Sequence, residues 1–380
     1  MDAKKLPARP SLEQYKKQAK ELVKSCRDGD AEAVRRIERY RAVRTLADAQ
    51  FTIAREHGFE SWPKFAQHIE ALTRENSPVS KFESAADAII TGDVATLQSL
   101  LRENPGLIRA RSTREHHATL LHYVSANGVE DFRQKTPKNA VKVAETLLKA
   151  GAEVDAVADA YGKDTALGLV AASVHPLRAG LQNALIEILL DYGAALDGVP
   201  EGCQPLTAAL ANGRPQAAET LASRGAQVDL AGAAGLGRLD LVKNFFNEDG
   251  SLKSNATKAQ MESGFMWACE YGRTTVVEFL LERDVDMAAQ DLHGQTGLHW
   301  AVIGGQLDTI KLLLERRVPL EVVNVYGGTV LGQARWSAEH SDSRIDYAPI
   351  VELLIAAGAR VDASSSERVA RVRLRRRSKS

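Results

Sequence analysis

The sequence predicts an all-α solenoid of stacked helix-turn-helix repeats over 81–363, and three observations carry that prediction. Residues 262–284 (ESGFMWACEYGRTTVVEFLLERD) and 295–317 (QTGLHWAVIGGQLDTIKLLLERR) are two versions of one pattern, with Trp267 and Trp300 in register 33 residues apart. Each copy places a glycine between two short apolar runs, as two small antiparallel helices about a tight turn require. An aromatic share of 6% beside an apolar share of 44% suits a fold that packs thin layers of Leu, Val and Ala between neighbouring repeats.

The elements follow in order. Ser11 with Gln14 is a capping pair for a first helix whose apolar positions Leu12, Tyr15, Ala19 and Leu22 share a face. Asp30 caps a second helix over 31–41, and Thr45 with Asp48 repeats the capping spacing for 46–57. Gly58 stops that helix, and Ser61-Trp62-Pro63 opens a fourth, proline being tolerated in a first turn. These helices form an N-terminal domain, 1–75, joined by the polar stretch 74–80 to the repeats. From 81 the chain reads as about eight repeats, with TLLHYVSANG at 119–128, TALGLVAA at 165–172, QPLTAALANG at 204–213 and GTVLGQARW at 328–336 as starts of first helices. The fifth is degenerate over 230–262: Gly237 comes only 24 residues after Gly213, so a finger is missing, and the polar stretch 247–262 reads as a break. Residues 129–139, 174–182 and 338–347 are loop insertions between the two helices of a repeat, and 364–380 reads as a disordered basic tail.

The T-x-L-H-x-A start at 296–301 and its T-L-L-H partner at 119–122 resemble the ankyrin repeat, in which a β-turn finger precedes two short antiparallel helices. The segment LADAQFTIAREHGFESWPKF, with HYVSANGVEDFRQKTPKNA and SVHPLRAGLQ, resembles a group of bacterial ankyrin-repeat proteins that carry an N-terminal helical extension. The resemblance implies a non-enzymatic protein–protein interaction scaffold that binds its protein partner through a concave surface of fingers and inner helices. It also implies that Thr119 and Thr296 cap their helices and bond His122 and His299, a structural role rather than a catalytic one.

Charge is unevenly laid out. Residues 1–45 hold 13 Lys and Arg against 7 Asp and Glu, 368–380 hold 7 against none, and the body between carries a net −13. Cys26, Cys203 and Cys269 are far apart and form no C-x-x-C pair, so the expectation is a reducing compartment, the cytoplasm, with no disulfide framework. No apolar run approaches the roughly 18 residues of a membrane span.

Candidate partner-binding residues are Tyr161 and Lys163 on one finger, Leu292, His293 and Gln295 on another, and Tyr326 on the last. Tyr271 and Trp336 join them on the helices, where Trp336 falls three residues past the position of Trp267 and Trp300 and points to the inner surface. The paired insertions bring a second set: His116, His117, Glu130, Asp131 and Gln182, with Arg133, His175 and Arg178 as candidates for anion or peptide recognition. Their spacing matches no metal-ligand pattern, and no G-x-S-x-G, H-E-x-x-H or phosphate-loop motif occurs, so no enzyme, metal or cofactor is expected. The alternative reading is a protein associated with nucleic acid or an anionic surface through its basic ends.

Overall fold

The computed structural model describes residues 3–42, 44–74, 76–200, 202–340 and 345–361. They fall in two compact units, Met1–Ala226 and Gln227–Ser380. The stretch 364–380, read as a basic tail, lies outside the described residues.

In the first unit α1 (Leu12–Arg27), α2 (Ala31–Glu38), α3 (Leu46–Glu56) and α4 (Trp62–Thr73) begin on the caps that the sequence places. Ser11 accepts from the Gln14 amide, Asp30 from those of Glu32 and Ala33, and Ser61 from that of Lys64, while Thr45 and Asp48 cap each other reciprocally. The four close on Tyr15, Ile37, Ile53, Phe59, Phe65 and Ile69, with the Tyr15 and Phe65 rings edge to face at 4.9 Å. The next helix, α5 (Pro78–Thr91), starts earlier than 81, because the Ser77 hydroxyl accepts from the Ser80 amide at 3.0 Å and donates to the Ala71 carbonyl at 2.6 Å.

After α6 (Val94–Glu103) the chain departs from the expected pair of α-helices. The TLLHYVS segment is a 3-10 helix, Leu120–Ser125. Ser125 turns its hydroxyl back onto the His122 carbonyl at 2.6 Å, and Ala126 adopts a left-handed φ of 48°, which ends the helix early. The insertion that follows is not a free loop: it holds a 3-10 turn, Asp131–Arg133, whose arginine is buried. Then come α7 (Ala140–Lys149) and a finger closed by β1 (Val157–Ala158) against β2 (Asp164–Thr165). α8 (Ala166–Ala172), α9 (Val174–Arg178), α10 (Gln182–Asp191), α11 (Pro205–Ala211) and α12 (Pro215–Ser223) complete the unit, α9 being helix where the second insertion was expected as loop.

The second unit is a regular double row. Inner helices α13 (Leu230–Leu236), α15 (Lys258–Glu270), α17 (Gly297–Ile303) and α19 (Val330–His340) pack side by side in that order. Outer helices α14 (Leu239–Lys243), α16 (Thr274–Leu281), α18 (Leu307–Glu315) and α20 (Ala348–Ala356) form the row behind. One core joins both rows through Leu230, Val242, Phe265, Val277, Leu298, Ile310, Leu331 and Ile350. The missing finger is visible as Asp229 capping α13 directly through the Gly232 amide at 2.7 Å. The break expected over 247–262 is shorter, because Thr257 and Gln260 cap each other and start α15 at Lys258. In the third insertion α19 continues to His340, and 341–344 lie outside the described residues.

Inner helices approach so closely that side-chain volume decides the spacing. A Cβ added at Gly297 would stand 2.6 Å from Phe265 Cε1 and 3.1 Å from Cys269 Sγ. Gly297→Ala should therefore lower the unfolding free energy by about 1–3 kcal/mol through overpacking, measured by urea titration, and Phe265→Leu in the same chain should recover part of the loss. An unchanged midpoint in the single variant would refute the close contact.

Candidate binding surface

Two arrangements of polar residues stand out, and only one faces solvent. The first is a buried ion network in the N-terminal unit. Arg114 donates to Glu83 at 2.6 Å and pairs with Glu130 at 2.8 Å. Arg133 donates to Glu83 at 2.8 Å, to Glu130 at 3.2 Å and to Asp87 at 2.9 Å. The Tyr123 hydroxyl donates to Glu130 at 3.4 Å, and Phe59 lies beneath the Arg114 guanidinium at 5.5 Å. Burial alone would raise Glu83 and Glu130, but Arg114 and Arg133 hold both carboxyls below their usual range. The His116 Nδ1 accepts from the Ala118 amide, so its neutral ring carries the proton on Nε2, which lies 3.7 Å from Glu130 Oε2.

This corrects one sequence expectation. Arg133 is 3% exposed and fully engaged, so it is a core cation rather than a loop recognition residue. Of the other insertion candidates, His116 and Glu130 join the network. His117 goes elsewhere, its Nδ1 lying 2.8 Å from Asp159 on the next finger. The Gln182 amide donates to the carbonyls of Val170, Ala171 and Ser173. His175 and Arg178 sit on α9, the first half-buried with its pKa lowered by burial, the second exposed, and no bond of the network reaches them. Sequence reasoning missed Glu83 and Arg114, because their pairing spans 31 residues and follows no helical period.

Separate bonds beside the network tie the N-terminal helices to the repeats. The Glu115 amide donates to the Gly58 carbonyl at 3.0 Å, Arg55 pairs with Glu115, and His68 Nδ1 lies 2.7 Å from the Thr113 hydroxyl.

The Thr-His turns are as the sequence implies. The Thr296 amide donates to His299 Nδ1 at 3.2 Å, the two side chains meet at 2.9 Å, and the His299 amide donates back to Thr296 Oγ1. Thr119 and His122 repeat the reciprocal bond at 3.1 and 2.8 Å. An Nδ1 that accepts from an amide keeps the ring neutral.

The second arrangement is exposed. In the C-terminal unit two fingers share one construction. Asp291 Oδ1 accepts from the amides of His293 and Gln295, both at 2.8 Å, while Asn324 Oδ1 accepts from those of Tyr326 and Gly328 at 3.0 and 2.9 Å. Gly294 and Gly327 supply the left-handed backbone that each turn needs. The Val325 amide donates to the His293 carbonyl at 2.9 Å, joining the two fingers edge to edge. Held this way, Leu292 is 98% exposed and Tyr326 57% exposed. Trp336 is also 57% exposed, with His340 stacked on it at 4.9 Å. Trp300 is half-buried, and its Nε1 donates to Asp291 at 3.2 Å.

Of the candidate contacts, Leu292, His293, Tyr326 and Trp336 lie on this surface, and Tyr271 is half-buried at the end of α15. Gln295 does not: it is 6% exposed and accepts from the Asn324 amide group at 3.4 Å. Tyr161 is exposed on the β1–β2 finger of the other unit, its hydroxyl donating to Asn127, with Lys163 exposed beside it. Val323, 46% exposed, belongs to the same surface as Tyr326 and was missed, since nothing in its local pattern separates it from core valines.

Paired rows of short helices, projecting fingers and Thr-His locks at the starts of inner helices define a stacked helical-repeat protein. A model of the family described as "Ankyrin repeats (3 copies)" matches residues 230–324 and 265–365, and the chain carries ankyrin repeats there. No curated protein matches the chain. Among solved structures the chain is similar to the crystal structure of the human ASB11 ankyrin repeat domain, at 19% identity over 73% of this chain and 99% of that chain, with a TM-score of 0.38. Ankyrin repeats are generally protein–protein interaction modules. Among the described residues, no helix is long and apolar enough to cross a membrane.

Two predictions come from the buried groups. Arg133→Ala leaves Glu83 and Glu130 short of a cation and should cost about 3–5 kcal/mol of stability, the range for breaking a buried pair, read as a lowered urea midpoint. A change within 0.5 kcal/mol, about the size of an ordinary surface substitution, would refute the network's role. The second concerns pH. Burial depresses His68, His122 and His299 from 6.5 to about 4 in each case. A base depressed on folding favours the native state above its unfolded pKa, so stability should be full above pH 6.5 and decline progressively towards pH 4. Thermal midpoints that stay flat from pH 7 to pH 4, the range those values bracket, would contradict this.

Proposed function

We propose that this chain is a non-enzymatic protein-interaction scaffold that holds a protein partner on the fingers and inner helices of its repeats. One observation carries the reading. Large apolar side chains stand exposed on backbone that is itself rigidly bonded: Leu292 at 98% and Tyr326 at 57%, on turns that Asp291 and Asn324 fix by two amide bonds each. Contiguous exposed apolar groups on a well-ordered frame mark interaction sites, since water solvates them poorly and no folding role explains them. Preorganised turns also lower the entropy lost on binding. Leu292, His293, Tyr326 and Trp336 form the proposed contact set with Tyr271 beside them, and Tyr161 and Lys163 offer a second contact on the N-terminal unit.

The full chain as bait in a native lysate, compared with Leu292→Ala/Tyr326→Ala by quantitative mass spectrometry, tests this. Binding energy concentrates in a few anchors, so a specific partner should fall at least tenfold with the double variant. Because both side chains are solvent-exposed, its thermal midpoint should match the parent's. Equal capture by both baits would refute the assignment of this surface.

A further inference from the structure

The charge around the exposed aromatics is one-sided. In the C-terminal unit, finger segments 284–296 and 318–329 contain Asp284, Asp286, Asp291 and Glu321 and no Lys or Arg. The helices that flank these fingers on the inner row add Glu262, Glu270 and Glu339, against Lys258 and Arg335. The outer row is close to balanced by contrast: on and just after α18, Lys311, Arg316 and Arg317 stand beside Asp308 and Glu315, and Lys311 pairs with Asp308 and Arg316 with Glu278. Between 227 and 361 acidic residues outnumber Lys and Arg by 18 to 12, so the excess falls on the face that bears Tyr326, Trp300 and Trp336.

We infer that this face takes an extended, Lys/Arg-bearing protein segment that seats aliphatic side chains between its cations. The inference rests on the interaction reading above and adds the chemistry of the partner. Indole and phenol faces attract a guanidinium or ammonium through the ring quadrupole, and a carboxylate fringe strengthens that attraction where water is displaced. Trp336 is open over more than half its surface, and the Asp291 bond fixes the edge of Trp300. Spacing selects an extended segment. Neighbouring helices pack about 8–10 Å apart, and a chain in the extended polyproline II form advances about 3.1 Å per residue with about three residues per turn, so every third side chain returns to the same face at the next repeat.

The probe is a synthetic twelve-residue peptide with Val at every third position and Arg or Ser between, with analogues in which each Arg becomes Gln or Glu. Binding to the full chain is measured by fluorescence anisotropy at low salt and near 0.15 M. The Arg peptide should bind, at least tenfold more tightly than the Gln analogue, and the Glu analogue should not bind. Raising salt should weaken the Arg peptide, as for a partly exposed charge pairing. Trp336→Ala and Tyr326→Ser, which leave the charge unaltered, should each reduce Arg-peptide affinity at least fivefold, with circular-dichroism melts matching the parent's. Affinity unmoved by both variants overturns the inference, because it reports charge attraction alone, and so does absence of Arg-peptide binding. If the Gln analogue binds as well and still depends on Trp336, the cation preference falls while the interaction surface itself stands.

Discussion

The rest of the structure depends on one constraint: a pair of helices as short as those of the C-terminal unit, from five residues in α14 to 13 in α15, cannot bury its own apolar face. Each inner helix of the C-terminal unit therefore completes the core of its predecessor. Phe265 on α15 lies against Gly297 at the start of α17, at a separation that admits no additional carbon. Because each layer is thin, free energy is stored mostly at repeat-to-repeat interfaces, and stability is close to a sum of neighbour terms. Small residues at the contact set the spacing, and the spacing sets the pitch at which fingers emerge. Packing along the inner row thus fixes the spacing of the fingers.

The N-terminal unit answers the same constraint differently. Its first repeat meets four helices that belong to no repeat, and beside that contact α5 and the 129–139 insertion hold two arginines and two glutamates out of water. Such a cluster is seldom a source of net stability, since desolvation offsets most of the Coulomb attraction. What it supplies is discrimination. Arg114 and Arg133 are satisfied only when α5 brings Glu83 between them and the 3-10 turn brings Glu130. A slipped packing of the insertion against α5 would strand charge in the interior. The insertion at 129–139 therefore acts inward, as a clasp, and its sequence is explained by folding rather than by exposure.

The difference between what the sequence disclosed and what it hid follows from range. Caps at Ser11, Asp30, Thr45 and Ser61 are local, each decided by a side chain and an amide two or three residues away, and they were legible to the residue. The 33-residue register of Trp267 and Trp300 made the inner row legible too. Arg133 and Gln295 were read as surface contacts because polar residues in loops usually are. Their burial comes from Glu83, 50 residues away, and from Asn324, 29 residues away, and no local pattern announces either. The 3-10 form of Leu120–Ser125 was hidden for a similar reason: the T-L-L-H text promises an α-helix, and a single serine hydroxyl bonded backwards overrides it.

A physical division of labour within the fingers emerges from this. Asp291 and Asn324 occupy equivalent positions 33 residues apart and spend their oxygens on backbone amides. His293 and Tyr326, the next equivalent pair, give only their backbone to the turn, and their side chains stand exposed outside its bonding scheme. Changing the second pair leaves the amide bonds intact, whereas changing the first removes the frame that presents the second. Display and folding therefore fall to different side chains of the same turn. A finger can alter the side chains it displays without altering how it is held, and sequence variation at the tip need not be accompanied by loss of stability. The same separation runs through the helices: Trp300 gives its Nε1 to Asp291 and is committed to the frame, while Trp336 stacks on His340 and stays 57% exposed.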